Sequence, residues 1–333
     1  MLKKIYKIIL IVVEFLYYLR NLNNNRKIVS QPKISVFLPI YNKATYLKRS
    51  IGSIQNQTLK DIEIIPINDG SKDNTLEILK EIARNDSRIK IINNDKNRGL
   101  LYSRAMGILN SEGEYLMNLD PDDEFKGTDA LDFLYKIAKK SKTDVVSFGH
   151  LIKDSFNSKK SFGCTKFWRV QNQPKILELG NKMLDYLITD KLIKREIFMK
   201  AYDFLRPEVY REKWNYAEDE VWSALINMYA NSKICTNKIV YIYHYNNDSL
   251  MHNRINNIFL SNLIRWFKMF QKIYDKKEYE IYLLNRIKIL IEIFDIYNQN
   301  ITNIILKNTK LKKEYISLFK YINKASDNIK LYL

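Results

Sequence analysis

Short apolar runs alternate with helical patterns along the first half of the chain, and this alternation constrains the fold more than any other feature. The apolar runs, which predict strands, lie at 34–38, 62–67, 89–92, 115–119 and 144–148. The helical patterns fill the gaps at about 43–56, 74–85, 99–110 and 128–140. Such alternation is typical of βαβ units. We therefore predict an α/β fold with a central, mainly parallel sheet flanked by helices.

Polar clusters follow three of the predicted strands, at the points where the strands end. They read PIYN at 39–42, NDGS at 68–71 and DPDD at 120–123. In an open α/β sheet, ligands bind beyond the carboxyl ends of the strands. The three clusters are therefore expected to meet at one edge of the sheet and to form its binding site.

The third cluster places three carboxylates, Asp120, Asp122 and Asp123, directly after an apolar strand. A turn at this point can bring the three groups together, and their mutual repulsion then favours a bound cation. Oxygen ligands of this kind suit Mg²⁺ or Mn²⁺, which also bridge to substrate phosphates. An Asp-rich surface turn is the alternative that these residues alone leave open. The NDGS segment around Asp69 is likewise a good turn sequence in its own right.

A second acidic segment, AEDE at 217–220, opens an apolar helical pattern that continues to residue 229. A carboxylate within hydrogen-bond reach of a hydroxyl group can act as a general base. Acids in the first turn of a helix are also stabilised by the helix dipole, so a purely structural interpretation stays open. A strand pattern follows at 234–245, and residues 255–333 predict two or three further helices.

In their order and spacing, these motifs resemble family 2 of the glycosyltransferases. The resemblance runs from about residue 34 to residue 250, and the segments that carry it are SVFLPIYN at 35–42, SIQNQT at 53–58, INDGSKDNT at 67–75, NRG at 97–99, SRAMG at 103–107 and the two acidic segments. It implies a GT-A fold, which is a Rossmann-like sheet that binds a nucleotide-sugar. It further implies an inverting transferase that uses a nucleotide diphosphate-sugar, most often a UDP-sugar, together with Mn²⁺ or Mg²⁺.

The resemblance also implies roles for residues on the donor side of the site. Asp69 would contact the base or ribose of the nucleotide, in a pocket lined by Pro39 and Tyr41. Asp120 would face the nucleoside or the metal, and Arg104, within the SRAMG segment, would belong to the same donor-binding set. Many family members carry a second aspartate directly before the residue that matches Asp69, and its absence here leaves Asp69 itself intact.

For the reaction itself, the resemblance makes Asp122 the main metal ligand and Asp219 the general base. His244 is a candidate further metal ligand, because some metal-dependent relatives place a histidine after the corresponding strand. A histidine that closes over the diphosphate, or one satisfied within the strand, is the alternative. Lys43 stands where many relatives carry an acid, so the resemblance assigns it no role.

The formal net charge of +18 attracts phosphates, anionic lipid headgroups and nucleic acid alike. Much of the excess lies at the two ends, since residues 1–30 hold six Lys or Arg against one acid and residues 255–333 hold fourteen against seven. Nucleic acid is not expected as a partner, because none of its recognised binding motifs occurs. The basic, apolar-rich ends favour a membrane surface instead.

The apolar stretch at 5–19 is interrupted by Lys7 and Glu14 and is shorter than the ~20 residues of a spanning helix. We expect residues 1–30 to be a membrane-associating segment and linker that holds the protein peripherally or weakly on a membrane. Residues 31–254 are expected to form the GT-A catalytic domain. Residues 255–333 are expected to form a basic helical region that packs on this domain or lies against the membrane.

Several questions stay open from the sequence. The acceptor is expected to be a glycan or a lipid-linked saccharide, but no readable motif between 150 and 218 names the sugar, the acceptor or the linkage. A catalytically inactive module that binds nucleotide-sugars and a membrane-surface scaffold are the alternative functions. Cys164 and Cys235 are too few for a disulfide framework, and we interpret them as reduced thiols.

Overall fold

The computed structural model describes residues 31–153, 160–162, 187–211 and 213–245, together with helical positions 262, 265, 266, 268, 269 and 272. Its strands are β1 (Ile34–Ile40), β2 (Ile62–Asn68), β3 (Ile92–Asn93), β4 (Tyr115–Asn118), β5 (Glu124–Phe125), β6 (Val145–Lys153), β7 (Lys160–Phe162), β8 (Lys191–Lys194) and β9 (Lys233–His244). Its helices are α1 (Leu47–Gln55), α2 (Thr75–Arg84), α3 (Leu100–Leu109), α4 (Ala130–Ser141), α5 (Arg195–Val209) and α6 (Glu218–Tyr229). The strands and helices predicted for the first half are confirmed, except that the strand predicted at 89–92 is observed at Ile92–Asn93, with only an isolated bridge at Ile89.

The strands form one sheet in the order β3-β2-β1-β4-β8-β6-β9-β5, with β7 paired to β6. From β3 to β4 every neighbouring pair is parallel. Beyond β4 the directions mix, because β8 is antiparallel to both of its neighbours while β6 and β9 pair in parallel. The parallel portion brings the loops after β1, β2 and β4 to one edge of the sheet, where a ligand is expected.

Alternation of side chains along β1 explains why helices cover both faces of the sheet. Val36 and Leu38 are buried on one face with residues of α1, α2 and α4, whereas Phe37 is buried on the other with residues of α3, α5 and α6. Successive side chains of a strand point to opposite faces, so a strand that is apolar on both must be covered on both. Phe37 meets Phe198 of α5 edge to face, with ring centroids 5.8 Å apart.

The described positions of the C-terminal region pack against this body. Trp266 and Met269 are buried in the same core cluster as Trp214. Arg265 lies 4.7 Å from the ring centroid of Trp214 and donates to Glu208 Oε2 at 3.3 Å. At these positions the region is therefore a packing helix. The rest of 255–333, like the predicted membrane-associating segment at 1–30, lies outside the described residues.

Two further findings concern the cysteines and the membrane. Cys235 is buried and disulfide-bonded, so its interpretation as a reduced thiol is wrong, and Cys164 lies outside the described residues. Among the helices within the described ranges, none combines the length and the apolar character that crossing a membrane requires.

Candidate active site

The loops after β1 and β2 are joined to each other by hydrogen bonds. The Asn42 amide donates to Ser71 Oγ at 3.0 Å, and the Lys72 amide donates to Asn42 Oδ1 at 2.8 Å. Asn42 has a φ of 52°, a left-handed conformation that Asn adopts more readily than most residues. Next to this loop, Pro39 is buried within β1, and Tyr41 is 39% exposed at its end. The structure thus places both predicted pocket residues at the expected edge.

Asp69 directly follows β2 and is held by three N–H donors. Its Oδ1 accepts from the Arg98 amide at 2.9 Å and from the Asn94 side chain at 2.8 Å, and its Oδ2 accepts from the Gly99 amide at 2.8 Å. Gly99 has a φ of 97°, which a residue with a side chain rarely adopts. Asp69 therefore fixes the loop that opens α3. A carboxylate accepts about four hydrogen bonds, so one ligand donor still fits, and the predicted nucleotide contact stays a prediction.

The acidic turn, residues 120–123, is anchored to β9 by its last carboxylate. Asp123 is 1% exposed, its Oδ2 accepts from the Tyr241 hydroxyl at 2.6 Å, and its Oδ1 accepts from the His244 amide at 2.8 Å. Burial raises the pKa of Asp123 well above its usual value, and the carboxylates of Asp120 and Asp122 raise it further. Asp123 is thus a structural member of the turn, while the other two carboxylates are partly exposed.

Asp122 is paired with a lysine from the loop after β1. Lys43 Nζ lies 2.8 Å from Asp122 Oδ2, and the two side chains are 20% and 19% exposed. Arg49 of α1 donates to the carbonyl oxygen of Asp122. Both cations lie near the ring of Tyr46, whose centroid is 5.3 Å from Lys43 Nζ and 5.6 Å from the Arg49 guanidinium. The predicted metal ligand therefore belongs to a cluster that also contains two cations.

Arg104 of α3 links the acidic turn to the helix that carries Asp219. The side chain is almost fully buried, its Nε donates to Asn118 Oδ1 at 3.3 Å, and its Nη2 lies 3.5 Å from Asp120 Oδ1. Its Nη1 pairs with Glu218 at the start of α6. A guanidinium stays charged and presents its donors in a rigid fork, so Arg104 sets the spacing between the two acidic segments. Its predicted contact with the donor stays a prediction.

Asp219 lies in the first turn of α6, directly after Ala217 and Glu218. Ala217 has a φ of 56°, so a strained left-handed residue sets the direction of this helix. Burial raises the pKa of Asp219, the Arg104 charge lowers it, and the Asp120 carboxylate raises it. Arg104 contacts both Asp120 and Glu218, the residue directly before Asp219, so the structure brings the predicted donor-side carboxylate and the start of the predicted base's helix to one place.

A buried ion pair lies within electrostatic range of Asp219. Lys191 at the start of β8 is fully buried, donates to Asp190 Oδ1 at 2.6 Å and donates to the carbonyl oxygen of Leu187. Burial raises the pKa of Asp190, the Lys191 ammonium lowers it, and the Asp219 carboxylate raises it. Asp219 therefore titrates among fixed protein charges, which affect it more strongly than they would in bulk water.

His244 ends β9, and its ring contacts Glu124, the residue that directly follows the acidic turn. Its Nε2 lies 2.9 Å from Glu124 Oε1, while its amide holds Asp123. Among the residues that the structure describes, no three His, Cys, Asp or Glu side chains are placed to hold a metal by themselves. The metal-binding roles of Asp122 and His244 stay predictions.

The residues of the turn fit a divalent cation that is bound together with a diphosphate. Mg²⁺ and Mn²⁺ are commonly held by one or two carboxylates plus substrate phosphates and water, rather than by a complete protein cage. Asp120 and Asp122 supply two such carboxylates, with side chains 33% and 19% exposed. Burial is the main cause of the raised pKa of Asp123, and the Asp120 and Asp122 carboxylates add a repulsion that a cation would relieve. Asp120 and Asp122 are therefore the residues that would hold it.

The segment before α6, residues 213–217, is held from two directions. Asn215 Oδ1 accepts from the Leu100 amide at 2.9 Å, and the Trp214 carbonyl accepts from the Leu101 amide at 3.0 Å, so the segment satisfies the first amides of α3. On its other side, Asn262 Oδ1 accepts from the Asn215 amide at 2.7 Å. The C-terminal region thereby positions the segment that joins the start of α3 to the helix of Asp219.

The site also contains residues that were not predicted from the sequence, among them Lys43, Asn118 and Asn262. Asn118 carried a usable signal, because a polar residue within the apolar strand β4 must find a buried partner. Lys43 and Asn262 carried none, since their partners lie far away in the sequence and no spacing rule connects them.

Comparison with known proteins agrees with the sequence resemblance. The family model for Glycosyl transferase family 2 matches residues 35–201. An uncharacterized glycosyltransferase of Haemophilus influenzae is 30% identical over 307 residues, covering 87% of this chain and 88% of that protein. Glycosyltransferase GlyA of Streptococcus pneumoniae is 29% identical over 258 residues, which is 63% of this chain and 36% of GlyA. The chain therefore spans about a third of GlyA and most of the Haemophilus protein.

A solved structure shows the same fold. The S. aureus TarS 1–349 structure in complex with UDP-GlcNAc superposes with a TM-score of 0.63 at 18% sequence identity, covering 88% of this chain and 81% of that chain. This likeness confirms the predicted GT-A fold, with its α/β sheet and flanking helices.

Proposed function

This chain belongs to glycosyltransferase family 2, and we propose that it transfers a sugar, with inversion, from a UDP-sugar to a hydroxyl group of its acceptor. The Arg104 bridge is the observation that carries this proposal. It joins Asp120 of the acidic turn to Glu218, the residue directly before Asp219 in α6, although the two segments are remote in the sequence. An inverting transfer needs a group that binds the leaving diphosphate and a base that activates the attacking hydroxyl.

The donor side of the site suits a nucleotide. Tyr41 is exposed at the end of β1 and offers an aromatic face for a base, next to the buried Pro39. Asp69 already accepts three hydrogen bonds from the protein, and it can accept one more from the base or ribose. In support of a nucleotide-sugar, the structurally similar S. aureus TarS was solved in complex with UDP-GlcNAc.

Asp122, together with Asp120, is assigned to hold Mn²⁺ or Mg²⁺. When bound, a divalent cation neutralises the charge of a departing diphosphate. The chain's own contribution is the fixed position of the turn, because Asp123 ties it to Tyr241 and to the backbone of His244. His244 lies beside this anchor and is assigned as the further candidate ligand.

Asp219 is assigned to accept the proton of the acceptor hydroxyl as the new bond forms. An ordinary aspartate is a weak base at neutral pH, and burial raises the pKa of Asp219 toward a more useful value. The Arg104 charge opposes this rise. Glu218 is almost fully buried and engaged by Arg104, which leaves Asp219 as the better base.

The acceptor is assigned as a glycan or a lipid-linked saccharide at a membrane surface. The basic ends at 1–30 and 255–333 support this assignment, because clustered Lys and Arg are attracted to anionic headgroups. Attachment would be peripheral or weak, in keeping with the short and interrupted apolar stretch at 5–19.

A screen of nucleotide-sugars tests the proposal directly. The full chain is incubated with each donor and Mn²⁺, and released nucleotide is measured with and without a chelator. We expect metal-dependent release from one or a few UDP-sugars, and its loss in Asp219→Asn but not in the adjacent Glu220→Gln. Donor binding without release from any donor would indicate the inactive module, and vesicle binding without metal-dependent affinity for UDP would indicate the scaffold.

A further inference from the structure

Lys43 holds a positive charge next to the Asp122 carboxylate. Its backbone is fixed, because its amide donates to Thr75 Oγ1 at 3.1 Å. Its side chain then reaches past the Tyr46 ring to Asp122 Oδ2 at 2.8 Å. The pair is partly exposed, with about a fifth of each side chain accessible. The ammonium therefore occupies a carboxylate oxygen that the proposed metal would need.

The two cations of this cluster contact different parts of Asp122. Arg49 binds the backbone carbonyl oxygen, which holds the turn in place. Lys43 binds the carboxylate, which is the group that would bind a metal. An arginine fork holds its partner rigidly, whereas a lysine is a compact charge on a flexible stem. Partly exposed ion pairs are also weak, so Lys43 is the cation that can be displaced.

Resting on the proposed metal role of Asp122, we infer that Lys43 is a built-in counterion that couples metal binding to the arrival of a diphosphate. A metal that binds alone must displace the ammonium and leave it without its anionic partner. A metal that arrives with a diphosphate brings phosphate oxygens to which the released ammonium can turn. Lys43 therefore weakens binding of the metal alone and strengthens joint binding. Such coupling is reciprocal, so the metal strengthens diphosphate binding by the same factor.

Mn²⁺ titration followed by electron paramagnetic resonance tests this inference without any turnover, because the signal of free aqueous Mn²⁺ reports the unbound ion. The full chain is titrated alone and with saturating UDP, and the ratio of the two affinities measures the coupling. Lys43→Met is compared with Lys48→Met, which removes the same charge from an exposed position of α1. We expect Lys43→Met to bind Mn²⁺ alone about tenfold more tightly and to lose about tenfold of the coupling, with Lys48→Met unchanged.

The outcomes separate this inference from the proposed function. If Asp122→Asn loses Mn²⁺ binding while Lys43→Met behaves like Lys48→Met, the metal site stands and the role of Lys43 is overturned. Weaker Mn²⁺ binding by Lys43→Met in the absence of UDP would also overturn it. If Asp122→Asn binds Mn²⁺ as the unmodified chain does, the proposed metal site itself fails. Lys43→Gln, with circular dichroism as a folding check, repeats the test should Lys43→Met misfold.

Discussion

Asp69 and Asp122 follow the two strands on either side of β1, yet the structure treats these carboxylates in different ways. Asp69 is 4% exposed and accepts hydrogen bonds from two backbone amides and one side-chain amide. Asp122 is 19% exposed at its side chain and is paired with the flexible ammonium of Lys43. Asp69 is thus held mainly by backbone amides, which move only if the loop moves. Asp122 is held by the Lys43 side chain, which can move on its own.

This difference separates a scaffold from a reactive group. Backbone amides are fixed by the chain that carries them, so Asp69 cannot change partners while the loop before α3 stays folded. A lysine side chain can exchange one anion for another, so Asp122 can change partners within a folded protein. Two acids that look equivalent in the sequence therefore differ in what a substitution would damage.

The largest expected effect is the loss of activity in Asp122→Asn. We expect kcat/KM to fall about a thousandfold or more, because a main ligand of the charge-neutralising cation is lost. The free energy of unfolding should change by less than about 0.5 kcal/mol, since the side chain is partly exposed. Donor hydrolysis and urea denaturation measure the two quantities. A folded variant with full activity would remove Asp122 from the reaction.

The next effect concerns Arg104, which stabilises the fold through Glu218 and also acts on the proposed base, Asp219. Arg104→Met leaves the Glu218 carboxyl group buried without its cationic partner, so we expect a loss of about 3 kcal/mol of unfolding free energy. The same change removes the charge that lowers the pKa of Asp219. The base must be deprotonated to act, so the acidic limb of the pH–rate profile should move to higher pH, and Arg104→Lys should move it less. An unmoved limb in a folded variant would contradict the coupling.

Asp69→Asn should show the opposite behaviour to Asp122→Asn. An Asn side chain presents an NH₂ group to at least one of the N–H donors that Asp69 now binds. We expect a loss of about 2 kcal/mol of unfolding free energy, because buried donors would then face each other. Asp61→Asn, at an exposed position, is the charge-matched control. Equal stabilities for the two variants would show that Asp69 is not a scaffold.

The smallest expected effect is at Asn262, where the C-terminal region holds the segment before α6. Asn262→Ala removes the acceptor of the Asn215 and Tyr216 amides, so we expect a loss of about 1 kcal/mol and a higher KM for the donor. Lys272→Ala, at an exposed position of the same region, is the control. If both variants match the unmodified chain, the C-terminal contact has no part in shaping the site.

Much of the first half was predictable from the sequence, because its determinants are local. Apolar runs such as β1 identify strands on their own, and the polar residues that end them must lie at one edge of a parallel sheet. The positions of Asp69 and Asp122 follow from this rule. The family resemblance then named Asp219, which no rule of periodicity could have connected to Asp120.

The rest depends on contacts that no local pattern encodes. The pairing of Lys43 with Asp122 and that of Arg104 with Glu218 both join residues remote in the sequence. The mixed strand directions beyond β4 follow from a chain path that periodicity does not report. Trp266 illustrates a further limit, since an aromatic residue on a basic helix suits a membrane surface and a protein core equally well, and here it is buried.

A crystal structure of the full chain with UDP and Mn²⁺ would test the central claim most directly. We predict Mn²⁺ between the Asp122 carboxylate and the diphosphate, Lys43 turned from Asp122 to a phosphate oxygen, and Asp219 facing the space beyond the terminal phosphate. A nucleotide bound away from the acidic turn, or Mn²⁺ bound without Asp122, would contradict it.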